Sequence, residues 1–208
     1  RCDLERQHNP AVGERMIDYP EGATPLSEDE SQGLIPGHIT TRGQLDAWEA
    51  LNIDKALRWL NRVRLLDVLS EPFVRLLHRK MFDITWTWAG KYRMTEKNLG
   101  IKVWQIQDEV PKLCEDAKYW IEHDTFPPDE IAVRFHHKLV WIHPFPNGNG
   151  RHARLMADLL AKRVLNRPVF SWGGGPLEKA GAMRKKYLDA LHEADHGEFG
   201  SLLRFARS

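Results

Sequence analysis

The segment from His143 to Arg154 combines residue types that could bind phosphate and accept a proton. It reads His-Pro-Phe-Pro-Asn-Gly-Asn-Gly-Arg-His-Ala-Arg and contains two successive Asn-Gly pairs. Asn-Gly steps tolerate positive φ angles, so the backbone can curl until its N–H groups point inward. A helix that begins near Asn149 would add its positive dipole end, and such a nest binds an anion.

Arg151 and Arg154 lie three residues apart in the first turn of that helix, where a positive side chain normally opposes the helix dipole. A di- or triphosphate would neutralise both, because guanidinium groups match phosphate oxygens in a bidentate manner. A histidine such as His143 can titrate near neutral pH and could take a proton from a hydroxyl that attacks the bound phosphate. Phe145 is expected to hold the loop in the core. The alternative from the loop alone is a tight connection between helices whose arginines form surface salt bridges.

Apolar residues at helical spacing predict helices on both sides of this loop and along most of the chain. The predicted helices run from Gln44 to about Leu69, Ser70 to near Ile84, about Asp108 to His123, Asp129 to Trp141, near Asn149 to Leu160, Leu177 to Ala194 and Phe199 to Phe205. Between Gly90 and Ile106, a turn-like Lys-Asn-Leu-Gly flanked by short apolar runs predicts a small β-hairpin. The predicted fold is an all-α domain with one hairpin flap.

Two regions are predicted along the chain. Residues 1–43 contain several Pro and Gly and an acidic cluster at 28–30, which indicates an irregular arm that can hold one short helix. Residues 44–208 carry the apolar periodicity and form the main domain. A chain of 208 residues is long enough to bury one sizeable core.

The composition limits which binding partners and which cellular compartment are expected. Lys and Arg number 30 against 29 acidic residues, so no basic excess indicates direct nucleic-acid binding. No apolar run approaches the roughly 18 residues of a membrane span, and residues 1–20 lack the apolar core of a signal peptide. Cys2 and Cys114 form no CxxC pair, so a reducing cytoplasm is the expected compartment.

Residues 143–154 resemble the signature of the Fic family, His-x-Phe-x-Asp/Glu-Gly-Asn-Gly-Arg-x-x-Arg. Every fixed position is met except the acidic one, which is Asn147 here. The segments 87–93 and 187–197 are similar to the stretch before the family's flap and to its C-terminal helix, so the resemblance covers about residues 45–205. Within the family the chain most resembles the mobile mystery protein B subgroup, whose neighbour is typically a helix-turn-helix protein.

The resemblance implies a protein adenylyltransferase that moves AMP from ATP onto a Ser, Thr or Tyr hydroxyl of a target protein. His143 would act as the general base. Arg151 would hold the β-phosphate and Arg154 the γ-phosphate. The phosphates would lie against the backbone of three residues, Gly148, Asn149 and Gly150. These implied roles agree with the anion site inferred from the residues, which rests on stabilising phosphate charge.

Asn147 departs from the family at the position that normally holds Mg²⁺. A neutral amide oxygen is a poorer ligand for this hard cation than a carboxylate, so weaker metal binding is expected. Two alternatives therefore stay open. One is an enzyme of the same fold with another donor or reaction: phosphate transfer, phosphocholine transfer or removal of AMP. The other is a non-catalytic nucleotide-binding regulatory module of a toxin-antitoxin-like pair.

Two further expectations concern the surroundings of the loop. The flap at about residues 93–106 is expected to pair its open edge with an extended segment of the target protein. Many Fic proteins are silenced by a helix of pattern Ser/Thr-x-x-x-Glu-Gly/Asn, whose glutamate pairs with the second motif arginine. Here Glu28 and Gln32 match the Ser/Thr and Glu positions, so a weakened inhibitory contact with Arg154 is a hypothesis.

Overall fold

The fold is built from helices. The computed structural model describes residues 27–64, 66–175, 177 and 181–208. The helices are α1 (Glu28–Gln32), α2 (Arg42–Arg62), α3 (Glu71–Phe82), α4 (Ile106–Glu122), α5 (Pro128–Ile142), α6 (Asn149–Leu159), α7 (Ala182–Asp195) and α8 (Gly200–Arg207). Short turns of 3-10 helix occur at Val103–Gln105 and Trp172–Gly174, and a π-helical turn at Leu160–Val164 continues α6. Within the described ranges, every helix is too short or too polar to cross a bilayer.

Local sequence signals explain several helix ends. The Ser70 hydroxyl accepts a hydrogen bond from the Phe73 N–H and caps α3, as predicted. Thr41 and Gln44 form a reciprocal capping box at the start of α2. Pro127 and Pro128 open α5, where a missing N–H costs nothing. Short-range signals therefore account for the starts of α2, α3 and α5, and α5 leads into the loop at residues 143–148.

The central helix is α5, which packs against α4, α6 and α8. Its buried residues are Ile131, Ala132, Val133, Phe135, His136, Leu139 and Ile142. Helix α3 contacts α2, α4 and α6 and therefore closes the core on the other side of the loop. The loop at residues 143–148 thus joins two helices that the core holds rigidly.

The all-α class is confirmed, but the predicted hairpin is wrong. Residues 90–105 form an irregular loop that ends in the turn Val103–Gln105, with no strand, and α4 begins at Ile106. The guanidinium of Arg93 donates to the carbonyl oxygens of Thr95 and Ile101, which are acceptors that a strand ladder would need. We keep the name flap for residues 93–106. In the described residues the β-type pairing is a single bridge between Leu34 and Trp86.

The predicted short helix of the arm is α1. Its chain continues along the main domain, where the Ile35 N–H donates to the Thr85 carbonyl and the Thr87 N–H to the Gly33 carbonyl, each at 2.9 Å. The rest of the predicted arm, residues 1–26, lies outside the described residues, as does Cys2. A domain boundary at residue 43 stays a prediction.

Candidate active site

His143 is the residue that ends α5. Its backbone adopts the left-handed conformation with φ 54° and ψ 58°, while its N–H still donates to the Leu139 carbonyl at 3.2 Å. A non-glycine residue at positive φ is uncommon and is enriched at functional sites. Pro144 follows, and proline disfavours the α conformation in the residue before it. The helix therefore stops at His143 and turns its side chain out of the regular helical position.

The His143 ring is held in its neutral form. Burial lowers its pKa to about 4, and the nearby positive charges of Arg93 and Lys97 act in the same direction. A hydrogen bond with the backbone of Val140 opposes this shift without reversing it. At neutral pH the ring is therefore uncharged. A neutral imidazole has one nitrogen that can accept a proton.

Arg93 fixes the backbone around His143. Its side chain is 1% exposed, and its Nε donates to the His143 carbonyl at 2.7 Å. Its backbone N–H donates to the Pro144 carbonyl at 2.9 Å. One residue of the flap thus holds two consecutive carbonyl groups at the end of α5. Because Arg93 also holds two flap carbonyls, it joins the flap to His143.

Buried polar contacts set the shape of the loop after His143. Phe145 is fully buried, as predicted, and its ring stacks on His78 with 3.7 Å between centroids. The His78 Nε2 lies 3.0 Å from the Asn147 carbonyl, and its Nδ1 accepts the Gly90 N–H at 3.0 Å. His78 is therefore a neutral ring that donates through Nε2. It ties α3 to the middle of the loop.

Asn149 closes the same loop with its side chain. Its amide oxygen accepts the Phe145 N–H at 2.9 Å, and its amide nitrogen donates to the Phe145 carbonyl at 2.8 Å. The side chain is buried inside the curl. The sequence interpretation gave Asn149 a role through its backbone alone, whereas the structure adds this closure of the loop by the amide.

Gly148 is the position where the curl needs glycine. Its φ is +77°, and a Cβ built there would lie 2.6 and 2.7 Å from two carbons of the Phe82 ring. Phe82 is buried at the end of α3, so the ring cannot move aside freely. Gly150, two residues later, has ordinary space around it, with the closest neighbour at 3.6 Å.

We expect Gly148→Ala to lower the free energy of unfolding by about 2–4 kcal/mol, through left-handed strain plus overpacking against Phe82. The matched variant Gly150→Ala sits in the first turn of α6, and we expect it to be neutral or slightly stabilising. Urea unfolding followed by circular dichroism measures both. Equal stabilities of the two variants would contradict this account of the loop.

The N-terminus of α6 lies directly after the curl. The first N–H groups of a helix have no partner inside it, and in α6 they belong to Asn149, Gly150 and Arg151. The first hydrogen bond back into the helix is from the His152 N–H to the Gly148 carbonyl. These are the N–H groups that the predicted anion nest would use.

The two motif arginines reach different surroundings. Arg151 donates through Nη1 to Glu49 of α2 at 2.7 Å and lies over the Phe82 ring. Arg154 lies over the Tyr187 ring of α7, 5.7 Å from its centroid. Both are half-buried in the helix that follows the nest. The surface salt-bridge alternative does not describe Arg151, because its partner Glu49 is only 3% exposed.

Asn147 is not arranged as a metal ligand. Its side-chain oxygen accepts the Gly148 N–H at 2.7 Å, so this oxygen already takes part in the turn. In the part of the chain that the structure describes, no group of three or more His, Cys, Asp and Glu side chains could hold a metal ion. These residues therefore do not fit a protein-held Mg²⁺ site.

The flap lies directly against the end of α5. The Ile101 N–H donates to the Ile142 carbonyl at 3.4 Å. Gly100 has φ +93°, and a Cβ built on it would lie 2.5 Å from the Cβ of His143. Only a residue without a side chain allows this approach. The flap therefore covers one side of His143 through its backbone.

Helix α1 holds the flap through Glu30. This buried carboxylate accepts hydrogen bonds from the Thr95 hydroxyl at 2.9 Å, from the Lys97 ammonium and from the Ser27 N–H at 2.8 Å. Burial by itself raises the pKa of Glu30, but the bonds from Lys97, Ser27 and Thr95 outweigh it and hold the pKa below its usual value. The Trp88 indole N–H also donates to the Glu30 carbonyl.

The predicted regulatory positions are placed differently. Glu28 and Gln32 are both exposed in α1, whereas Glu30 between them turns inward toward the flap. The inhibitory contact of these positions with Arg154 stays a hypothesis. Glu30 faces the flap because Thr95 and Lys97 donate hydrogen bonds to its carboxylate.

A cleft of about 890 Å³ lies between α1, α3, the start of α4 and the flap. Trp88 and Tyr92 contribute aromatic walls, and Pro146 is its lining residue from the loop. Arg75 and Glu71, which also line it, pair with each other at 3.4 Å.

Sequence reasoning missed three residues that position this site, namely Glu49, His78 and Arg93. Glu49 and His78 occupy buried positions on the apolar stripes of α2 and α3. A charged or titratable residue at a core-facing position is a signal that the sequence does contain. Arg93 falls in a segment without helical periodicity, and no spacing rule could have indicated its partners.

The chain is similar in sequence to known proteins. A model of the Fic/DOC family matches residues 68–161. The protein adenylyltransferase Fic of Nematostella vectensis is 27% identical over 182 residues, which make up 85% of this chain and 40% of that protein. The protein adenylyltransferase fic-1 of Caenorhabditis elegans is 31% identical over 183 residues, 85% of this chain and 34% of that protein. The chain thus spans two fifths or less of these relatives.

A solved structure shares the fold. The BepC protein of Bartonella tribocorum, an effector crystallised with bound AMPPNP, superimposes with a TM-score of 0.64. The match covers 87% of this chain and 97% of that one at 17% sequence identity. At this identity the likeness concerns the course of the backbone.

Proposed function

The chain belongs to the Fic/DOC family, and from this membership we propose that it is a protein adenylyltransferase. It would transfer AMP from ATP to a Ser, Thr or Tyr hydroxyl of another protein. The observation that carries the proposal is a neutral His143 at the end of α5, joined by a curled loop to a helix N-terminus with two arginines. The cytoplasm, where ATP is present and an unpaired thiol such as Cys114 stays reduced, is the proposed compartment.

The proposed reaction divides between a base and an anion site. The hydroxyl oxygen of the target attacks the α-phosphorus, the bond to the pyrophosphate oxygen breaks, and the hydroxyl proton passes to His143. Arg151 and Arg154 bind the β- and γ-phosphates, and so stabilise the charge that collects on the leaving pyrophosphate. The N–H groups at the start of α6 bind the same anion.

The electrostatics of His143 fit this order of events. In the free protein, burial and, to a lesser degree, the charges of Arg93 and Lys97 lower the pKa of His143, so the ring is neutral and ready to accept a proton. A bound triphosphate brings negative charge beside the ring, which raises the pKa of His143 toward the value that a base needs at neutral pH. Binding of the nucleotide donor would thus make His143 a stronger base.

The flap is the proposed docking site of the target protein. It presents exposed apolar side chains at Met94, Leu99 and Trp104, which are 85%, 42% and 71% exposed. Exposed apolar groups that lie together in one segment indicate a protein-binding surface. An extended target segment would pair with the flap backbone near Gly100 and so bring its hydroxyl to His143. A helix-turn-helix partner protein is also proposed, on the subgroup resemblance alone.

Asn147 favours a second candidate, a Fic-type enzyme with another donor or reaction. Its amide oxygen is used by the Gly148 N–H, and it brings no negative charge to a metal. Magnesium would therefore arrive as the magnesium complex of ATP, with phosphate and water oxygens as its ligands. A donor that needs no metal would be handled equally well by this loop.

Mass spectrometry of a cell lysate tests the proposed function. The lysate is incubated with magnesium-ATP and the wild-type protein, His143→Ala or Asn147→Asp. We expect a mass gain of one AMP on a hydroxyl residue with the wild type and none with His143→Ala. Modification by Asn147→Asp alone would favour the second candidate. An AMP gain that survives in His143→Ala would contradict both.

A further inference from the structure

The ion pair between Arg151 and Glu49 joins the anion site to a helix that carries none of the motif. The two residues are 102 positions apart in the sequence, and the Arg151 Nη1 lies 2.7 Å from the Glu49 Oε2. We propose that Glu49 is a positioning residue, which orients Arg151 for the β-phosphate of the nucleotide. The inference rests on the phosphate-binding role proposed for Arg151.

Glu49 is itself held in place. Its other oxygen, Oε1, accepts the Trp86 indole N–H at 2.7 Å, so both carboxylate oxygens are engaged. The Glu49 side chain is 4% exposed, and Trp86 is 2% exposed and stacks on Trp88. Hydrogen bonds to a carboxylate from charged and aromatic N–H groups are among the stronger ones in proteins. Glu49 is thus a fixed negative charge.

Because Glu49 is fixed, its bond to Arg151 also holds the arginine side chain in place. Its guanidinium is planar, so the bond from Nη1 to Glu49 also determines the directions of the remaining N–H groups. The Phe82 ring, 5.0 Å from the guanidinium carbon, provides a second constraint. The side chain keeps 19% of its surface exposed, and it starts from the first turn of α6 beside the nest. A phosphate would therefore meet an arginine that is already oriented.

The charge of Glu49 also offsets a local repulsion. Arg151 lies at the positive end of the α6 dipole, where a cation is unfavourable in the absence of an anion. Glu49 supplies a negative charge from α2 and holds the Arg151 side chain through the bond to Nη1. Without it, Arg151 is expected to turn toward solvent, and the nucleotide would have to reorder it on binding.

Nucleotides with and without a β-phosphate can distinguish a positioning role of Glu49 from a general role in supporting the fold. ATP and AMPPNP carry a β-phosphate, whereas AMP ends at the α-phosphate. If Glu49 acts through Arg151, its loss must weaken binding of AMPPNP and leave binding of AMP nearly unchanged. If Glu49 only supports the packing of α2, both nucleotides must bind more weakly.

The experiment measures the dissociation constants of AMPPNP and AMP by calorimetry for the full chain. Glu49→Gln keeps the shape of the side chain and an acceptor for Trp86 while it removes the charge. We expect AMPPNP to bind about 5- to 10-fold more weakly, and AMP to change less than about 2-fold. The matched control Asp46→Asn removes a carboxylate from the same helix, where Asp46 pairs with Arg42, and should leave both constants unchanged.

A double variant tests whether Glu49 acts through Arg151. In Arg151→Gln, adding Glu49→Gln should cause no further loss of AMPPNP affinity, because the partner is already absent. Equal weakening of AMP and AMPPNP, or an unchanged AMPPNP constant, would overturn the inference while the proposed function stands. A wild-type protein that binds neither nucleotide would overturn both.

Discussion

Replacing His143 by alanine is expected to lower the rate of AMP transfer about 10²- to 10⁴-fold, which is the usual contribution of a general base. The proposed anion site lies on α6 and does not involve the imidazole, so the affinity for AMPPNP should stay nearly unchanged. Initial rates with a purified target and calorimetry with AMPPNP measure the two effects separately. Such a split between rate and affinity would identify His143 as a group that acts in the chemical step.

His123→Ala is the matched control, because His123 is an exposed histidine at the end of α4 whose ring bonds to the Tyr119 carbonyl. It should transfer AMP at the wild-type rate. A His143→Ala protein that keeps more than about a tenth of the wild-type rate would contradict the role of a general base.

The pH profile adds a second check on His143. A pKa of about 4 keeps the ring neutral in the free protein throughout the neutral range. The transfer efficiency kcat/KM reports the free enzyme, so it should be flat from about pH 6 to 8 and fall toward pH 4. A fall centred near the ordinary histidine pKa of about 6.5 would show that the ring is not buried as the structure has it.

Mild acid is expected to destabilise the protein strongly because four histidines are buried in neutral form. Burial lowers the pKa of each of them: His143 to about 4, His152 to about 3, and His78 and His136 well below the usual value. The unfolded chain binds protons on all four below about pH 6.5, whereas the folded chain does not. Their contribution to stability is therefore fully present above that pH and is lost as the pH falls.

The contacts of these rings explain why the folded state excludes the proton. In His78 the Nδ1 faces the Gly90 N–H, so a second ring proton would oppose a donor. In His136 and His152 the buried Nδ1 has no hydrogen-bond partner among the described residues. A charge there would be unpaired in the core, which proteins avoid.

One carboxyl group acts in the opposite direction. Burial raises the pKa of Asp158 to about 6, although its bonds from the Phe170 N–H and the Trp172 indole oppose the shift. As the pH falls, the folded state binds the Asp158 proton at a higher pH than the unfolded chain does. Asp158 therefore adds stability as the pH falls from about 6 toward the lower pKa that this carboxyl has in the unfolded chain. Near pH 5, unfolding should therefore take up about three protons, from four histidines less one carboxyl.

Urea unfolding between pH 7.5 and 5 measures this slope. The free energy of unfolding should fall by several kcal/mol, a large share of the 5–15 kcal/mol typical of a domain. A free energy that is constant or rises toward pH 5 would contradict the buried, neutral state of the four rings.

Local features of this protein could be predicted from its sequence. The Ser70 cap and the apolar stripe of α3 came from neighbours within two turns of helix, as did the start of α6 at Asn149. The burial of Phe145 was also predicted correctly. In these cases the deciding interactions lie within a few residues, so periodicity and capping rules are sufficient.

The flap could not be predicted in this way. Its turn residues and short apolar runs are those of a hairpin, yet Arg93 takes the carbonyl groups of Thr95 and Ile101. Nothing in the spacing reveals that an arginine side chain will fold back under the backbone. The same holds for α1, where Glu30 faces the flap because it accepts hydrogen bonds from Thr95 and Lys97, which lie 65 and 67 residues away.

The sequence by itself determined the helices, the curled loop and the types of group that the loop presents, because all of these depend on short-range spacing. Only the tertiary structure decided how those groups are oriented and charged. The contacts of His78 with Asn147, Arg93 with His143 and Glu49 with Arg151 span 69, 50 and 102 residues. Such pairs form when packed helices meet in the core, and burial there keeps His143 neutral.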